Sequence, residues 1–233
     1  LVAFPSMRYS SFDLIIKETS FSISTDTSNF IKNATVKNSV ENKQMFEDMN
    51  YMMPLGLEND SLQKKLKGLN KKDSAYKKIA GEIESISKKI VAHRKEITKK
   101  YPATFYSKLL TMMLDIEIPE GPKNPNGSLV DTFYSFHYTQ KHYFDNIDFA
   151  DSGYIRTPIF QSKLLKYFDN YTFPQPDSII KSIDMVIAKS RTNKDMFQFC
   201  LNELFMKYAK SEIMGHDAIY VYIADKYYLN GEA

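Results

Sequence analysis

The stretch YKKIAGEIESISKKIVAHRKEI, residues 76–97, decides the fold class of this chain. Its apolar residues recur alternately three and four positions apart, which is typical of a helix that packs along another helix. The residues on this face are Tyr76, Ile79, Ile83, Ile86, Ile90, His93 and Ile97. The pattern predicts a long helix whose partner is either another segment of the chain or a second copy.

A second helical pattern precedes this one. Ser39 is a suitable N-cap, because its hydroxyl can accept a hydrogen bond from the first turn. We expect this helix to stop near Pro54, since proline removes a backbone donor. Leucines then continue in a shifted phase up to NKKD at 70–73, so two helices or one stuttered helix both fit. The apolar residues concerned are Val40, Met45, Phe46, Met49, Met53, Leu62, Leu66 and Leu69.

The first 38 residues predict three short strands. Phe12, Leu14 and Ile16 lie at alternate positions, which is the period of a strand. Strands this short must pack on helices or complete a sheet that lies partly outside the chain. The candidate strands are YSSFDLIIKE at 9–18, FSIST at 21–25 and NATVKN at 33–38, with the turn DTSN at 26–29.

The remainder predicts helices only, so the chain is mainly α (α+β overall): a strand segment at 1–38 and a helical domain at 39–233. Pro102 is expected to open a helix that carries Phe105, Leu109, Met112, Met113 and Ile116. The loop PEGPKNPNG at 119–127 is the best candidate joint between subdomains. Short turns then predict stacked antiparallel helices at about 158–170, 177–190, 194–213 and 217–229. Asp177 or Ser178 is the expected N-cap of the second of these helices.

Charge and cysteine content limit the function classes. Residues 62–100 hold thirteen Lys or Arg against four Asp or Glu, although the whole chain carries only +3. This segment is interpreted as a solvated helix face, with a membrane or nucleic-acid surface as the alternative. The one cysteine, Cys200, excludes an internal disulfide and a Cys-x-x-Cys pair, and we interpret it as a buried apolar residue. The chain begins in an apolar stretch without an initiator Met, which suggests an excised fragment.

Gly215-His216-Asp217 has the composition of a catalytic motif but is interpreted as a corner between two helices. Glycine accepts the left-handed conformation that follows a helix end. Asp217 then stands where the next helix needs an N-cap. Neighbouring His and Asp side chains at a helix start also point apart, so they do not form a catalytic pair.

His142 and Asp145 are weak candidates for a metal site or an oriented base, because residues three apart share a helix face. His137 and His142 are five apart and cannot ligate one metal on a helix. Asp148 and Asp151 follow Asp145 at intervals of three, which favours caps and turns over a calcium loop. The sequence predicts no catalytic residue, no cofactor and no bound metal.

The segment 133–173 is rich in aromatic residues: thirteen of its 41 residues are Phe or Tyr. Such a run can line a groove for peptide, sugar or single-stranded nucleic acid. Aromatic residues at helical spacing can equally be core. Tyr134 and Tyr138 are the candidate binding residues, which would make the chain a free-standing helical-repeat binding module.

Several long stretches resemble one family. They are KYPATFYSKLLTMM, YFDNIDFADSGYIRTPIFQSKL, PDSIIKSIDMVIAKS and KYAKSEIMGHDAIYVYIADKYY. They are similar to a helical domain of unknown function in bacterial cell-envelope thioredoxin-like proteins, the thiol:disulfide interchange proteins. SFDLIIKETSFSISTDTSNFIKNATVKNS resembles the last strands of the β-rich domain that precedes it.

The resemblance implies a non-catalytic accessory region. The family's Cys-x-x-Cys belongs to a downstream thioredoxin-fold domain, and residues 1–233 contain no such motif. Expected partners are that thioredoxin-fold domain, another protein or a second copy of the chain. No nucleic acid is expected, and membrane contact is expected only through a lipid anchor outside these residues. The implied location is the cell envelope, periplasmic or lipid-anchored.

Overall fold

The computed structural model describes residues 2–3, 11–26 and 28–231. It confirms the mainly α class. The described residues do not include Tyr9 and Ser10 of the first predicted strand or Thr27 of the predicted turn. Residues 1, 232 and 233 also lie outside them. None of the described helices is long and apolar enough to cross a membrane.

The strands form two small antiparallel hairpins. β1 (Val2–Ala3) pairs with β2 (Ser11–Phe12), and β3 (Ser22–Ser24) pairs with β4 (Thr35–Lys37). The second and third predicted strands are therefore confirmed. The register of the second hairpin places Ile23 opposite Val36, and both side chains pack on the core of the first helices.

The first predicted strand is wrong beyond Phe12, since no strand runs through Leu14 and Ile16. Asn42 explains the difference. Its side-chain oxygen accepts the Ile15 N–H at 2.9 Å, and its amide donates to the Ile15 carbonyl oxygen at 2.7 Å. The backbone at Ile15 is thus satisfied by a helix side chain rather than by a neighbouring strand.

α1 (Val40–Leu66) is about twice as long as expected, because it continues through Pro54. Ser39 caps it as predicted and accepts the Asn42 N–H at 3.0 Å. A proline inside a helix costs about 3 kcal/mol, and the packing of α1 along the next helix offsets that cost. Val40 and Met53, two of the apolar residues that indicated this helix, are 57% and 37% exposed.

α2 (Ser74–Lys100) carries the face that decides the fold. Every member of that face is buried or half-buried, and α2 packs against α1. The partner of the long helix is therefore within the chain. The turn at 67–73 separates α1 from α2, so the alternative of one stuttered helix is wrong.

α3 (Phe105–Met113) begins three residues later than predicted, because Pro102 lies in the turn before it, and Ile116 follows its end. Two compact units divide the chain: Leu1–Thr111 and Met112–Ala233. The described strands, α1 and α2 all belong to the first unit. The loop 119–127 belongs to the second and is irregular, apart from one isolated bridge between Lys123 and Leu129.

The second unit contains the four predicted helices with small corrections: α5 (Pro158–Asn170), α6 (Pro176–Ser190), α7 (Lys194–Ala209), and α8 (Asp217–Ile223), which continues into a π-helical turn (Ala224–Tyr228). Two further helices were not predicted: α4 (Tyr134–His142) and a 3₁₀ helix (Ser152–Arg156). The cap of α6 is Gln175, not Asp177 or Ser178, because Pro176 takes the first helical position. The core lies between α5, α6, α7 and α8, where the least exposed side chains are Phe160, Leu164, Ile183, Val186, Met196, Cys200, Leu201, Leu204, Ile219 and Ile223.

Candidate functional site

The aromatic-rich segment divides into a buried part and an exposed part. Most of its rings fill the core of the second unit, as the alternative interpretation expects: Tyr143, Phe144, Phe149, Tyr154, Phe160, Tyr167 and Phe168. The rings on and around α4 differ, since no residue of that helix is buried. Within the aromatic-rich segment, rings that can meet a ligand or partner are therefore found at the surface around α4.

Four rings form this surface, which we call the aromatic patch: Phe133, Phe136, His137 and Phe173. The ring centroid of Phe136 lies 5.3 Å from that of Phe173, and His137 lies 6.4 Å from both Phe133 and Phe173. Phe133 is 68% exposed and Phe173 is 46% exposed. The patch presents apolar rings and one titratable ring to solvent.

Asp131 fixes the orientation of the aromatic patch. Its carboxylate accepts the Phe133 N–H at 2.8 Å and contacts His137 Nδ1 at 2.7 Å. The hydrogen bond from His137 lowers the pKa of Asp131, so this carboxylate stays ionised. The contact with Asp131 thereby holds the His137 imidazole in place, with its ring beside Phe136 and Phe173.

Tyr134 and Tyr138, the binding residues expected from sequence, lie beside the aromatic patch and are half-buried. A Cβ atom added to Gly121 would lie 2.7 Å from the Tyr134 ring, so this glycine lets the loop close over that ring. Tyr138 stacks on His142 with centroids 4.2 Å apart. Both tyrosines therefore have packing roles, and their role in binding stays a prediction.

His142 and Asp145 do form a pair, with Nδ1 and Oδ2 2.6 Å apart. Within residues 13–26 and 28–231, however, no group of three His, Cys, Asp or Glu side chains could hold a metal ion. Asp148 accepts the Ala150 N–H, and Asp151 accepts the Gly153 N–H at the start of the 3₁₀ helix. These aspartates serve turns and caps, as their spacing indicates.

The corner at Gly215 is confirmed, with one correction. Gly215 has φ of 87°, and α8 begins at Asp217, so His216 and not Asp217 occupies the cap position. His216 is buried, and its Nδ1 lies 2.8 Å from Ser211 Oγ. Its Nε2 has no hydrogen-bond partner among the described residues. Sequence spacing did not indicate this packing role, because Ser211 lies beyond the end of α7.

Cys200 lies on α7 and is fully buried. Burial raises the pKa of its thiol to about 12, so the reactive thiolate is essentially absent at neutral pH. The interpretation as a buried apolar residue is therefore consistent with its position. The thiol can serve neither as a nucleophile nor as a metal ligand while the core is closed.

A buried polar cluster in the first unit was not apparent from the sequence. The Tyr106 hydroxyl donates to Asp48 Oδ2 at 2.5 Å, and His93 Nε2 lies 2.9 Å from Asp48 Oδ1. The latter contact is close, but its geometry is not that of a hydrogen bond. Tyr51 stacks on the His93 ring with centroids 3.8 Å apart. Burial and the bond to Asp48 raise the pKa of Tyr106, which stays neutral.

This cluster has the residue types of a catalytic triad but presents none of them to a substrate. The Asp48 side chain is 7% exposed and that of His93 is 19% exposed. A general base must reach the proton that it abstracts, whereas His93 Nε2 faces Asp48 and its ring is covered by Tyr51. We therefore interpret the cluster as structural.

Comparisons with known proteins identify a family and nothing finer. A family described as "Domain of unknown function (DUF5106)" matches residues 86–232, which is more than half of the chain. The match begins inside α2 and extends through the π-helical turn. No curated protein and no solved structure matches the chain.

Proposed function

The chain belongs to the DUF5106 family of domains of unknown function, and from this premise we propose that it is a non-catalytic interaction region that binds a protein partner through the aromatic patch. The single observation that carries the proposal is the exposure of Phe133 and Phe173 around an oriented imidazole. Exposed aromatic clusters of this kind are typical of protein contacts, because the rings bury much apolar area at little entropic cost.

The state of the reactive side chains supports a non-catalytic role. The thiol of Cys200 is buried and protonated. His137, His142 and His93 are each committed to one aspartate. The pair of His93 and Asp48 has a third group, Tyr106, but His93 Nε2 faces Asp48 and Tyr51 covers the imidazole, so the base is not directed at a substrate.

The proposed setting comes from the family resemblance of the helical stretches. We place the chain in a cell-envelope thioredoxin-like protein, as an accessory region to a downstream thioredoxin-fold domain that carries the Cys-x-x-Cys. That domain is the expected partner of the aromatic patch, and a second copy of the chain or another protein is the alternative partner. The parent reading frame tests this setting: we expect a Cys-x-x-Cys within about 150 residues downstream, the length of one further domain.

The binding experiment mixes this chain with the separately produced downstream domain and measures affinity by calorimetry. We expect the double variant Phe133→Ser/Phe173→Ser to bind at least about tenfold more weakly, since exposed aromatic anchors dominate such interfaces. Met214→Ser is the matched control, because Met214 is 98% exposed and lies outside the patch. Equal affinities for the wild type and the double variant would contradict the proposal. Disulfide reductase activity that survives Cys200→Ala would contradict the non-catalytic role.

A second candidate is a free-standing binding module for peptides or glycans. The stack of Tyr138 on His142 favours it, because a half-buried ring pair can extend an exposed aromatic surface. Loss of peptide or glycan binding in Tyr134→Ala or Tyr138→Ala, without loss of helical circular dichroism, would favour this module over the accessory region.

A further inference from the structure

The end of the helical hairpin formed by α1 and α2 is strongly basic. We call residues 63–78 the hairpin tip: the last turn of α1, the connecting turn and the first turn of α2. It contains seven lysines and one aspartate, a balance of +6, although the whole chain carries only +3. Seven of the 31 Lys and Arg residues thus lie within 16 residues at one end of the hairpin.

All seven lysines of the hairpin tip are exposed. Among residues 13–26 and 28–231, no carboxylate lies within ion-pair distance of any of them. The single acidic residue, Asp73, is occupied with the backbone of the turn, where its Oδ2 accepts the Asn70 N–H at 3.3 Å. The charge is therefore not neutralised by ion pairs within the part of the chain that the structure describes.

The tip also stands away from the core of its own unit. That core includes Met45, Phe46 and Ile97, at the opposite end of the hairpin. From Phe46 to Leu66 the helix rises by about 30 Å, at 1.5 Å per residue. An extended flat surface can therefore meet the tip without touching the core of this unit.

We propose that the hairpin tip binds the surface of an anionic lipid bilayer. Lysine is a hydrated point charge on a flexible stem, which suits a diffuse negative surface. The tip has no arginine for bidentate contacts to nucleic-acid phosphates or bases. Its one aromatic residue, Tyr76, is half-buried and packs in the hairpin, so no exposed ring is available to stack on bases.

This inference differs from the expectation that membrane contact comes only through a lipid anchor outside these residues, and from the interpretation of the basic segment as merely solvated. It is also independent of the aromatic patch. Unchanged partner binding by Phe133→Ser/Phe173→Ser would contradict the proposed function but leave this inference intact, because the two surfaces share no residue.

Flotation of the whole chain with lipid vesicles tests the proposal. We expect binding to vesicles of equal parts phosphatidylglycerol and phosphatidylcholine, and none to phosphatidylcholine alone. Raising NaCl to about 0.5 M should release the protein, because screening shortens the reach of the charges. Each lysine near an anionic surface contributes about fivefold in binding, so Lys71→Gln/Lys72→Gln should weaken binding by about 25-fold.

Lys88→Gln/Lys89→Gln is the matched control, since it removes two exposed lysines from the same helical hairpin but outside the tip. We expect it to weaken binding by less than about threefold, and circular dichroism should be unchanged in both variants. Equal loss in the two double variants would overturn the proposal in favour of a net-charge effect. Absence of vesicle binding, or tighter binding to a DNA duplex or a polyglutamate peptide at the same salt, would also overturn it.

Discussion

Polar side chains make up a larger share of the buried residues in the first compact unit than in the second. Among the described residues, the first unit has nine buried hydrophobic residues and six buried polar ones, whereas the second has 23 and four. The polar residues of the first unit are Ser39, Glu41, Asn42, Gln44, Asp48 and Ser107. The difference indicates two ways of holding helices: one unit relies on directed hydrogen bonds and the other on close packing of rings and aliphatic chains.

Glu41 illustrates the first way. Its two carboxylate oxygens accept the N–H groups of Phe105 and Tyr106, at 2.7 and 2.8 Å. These groups open α3 and have no partner within that helix. The first turn of α3 contains no acidic residue of its own. Negative charge at this helix end, which the helix dipole favours, is thus supplied from α1, 64 residues earlier in the chain.

The largest difference between the units should appear at alkaline pH. Burial raises the pKa of Tyr143, Tyr154, Tyr208 and Tyr227 in the second unit, and that of Tyr106 in the first. The tyrosines of the unfolded chain titrate at about pH 10. Because the folded pKa is higher, this stabilisation is complete below pH 10 and is lost as pH rises towards the folded pKa.

Scanning calorimetry over a series of alkaline pH values measures this effect. We expect the transition of the second unit to fall further in temperature than that of the first. Phe160→Ala and Glu41→Ala assign the transitions, since the former should lower only that of the second unit and the latter only that of the first. A single transition that both variants lower equally would break the comparison, because the two units would then unfold together.

Phe160→Ala should have the next largest effect, on the second unit. Phe160 is fully buried against the rings of Phe149, Tyr154 and Phe199. Truncating a buried phenylalanine costs about 3–5 kcal/mol of unfolding free energy, because the cavity refills only in part. Urea unfolding followed by circular dichroism measures it. Phe173→Ala, in the exposed aromatic patch, is the control and should change stability by less than about 0.5 kcal/mol.

Glu41→Ala should have a smaller effect, on the first unit. It leaves two N–H groups of α3 without their acceptor, at a cost of about 2–4 kcal/mol in total. Glu47→Ala, at an exposed position of the same helix, is the control and should be nearly neutral in urea unfolding. If both variants unfold at the same urea concentration, the hydrogen bonds from α3 to Glu41 do not stabilise the first unit.

Local patterns predicted α5 to α8 of the second unit and the paired face of α2, but not α4. There the period of apolar residues and the turn residues indicate the same structure. Pro54 misled the interpretation of α1, because tertiary packing along α2 outweighs the local cost of proline. Local patterns therefore predict elements well where no long-range contact opposes them.

The site residues were predicted less completely. Asp48 and Tyr106 are 58 residues apart, and their hydrogen bond has no local signal. Phe133 lies immediately before α4, and Phe173 lies in the loop after α5. Helical spacing therefore assigns neither residue to a helix face. The sequence did contain one signal for their exposure. Phe133 and Phe173 both neighbour turn residues, and an aromatic residue in a turn often stays exposed.

Cys200 provides a native reporter for the second unit. As the one thiol of the chain, fully covered by the packing of α7, it can react with a maleimide or a chromogenic disulfide only when that core opens. The rate of its alkylation therefore counts opening events, without an engineered label or any signal from the first unit. Ligands that slow the reaction would be identified as binding to the closed form of the second unit, wherever on its surface they attach.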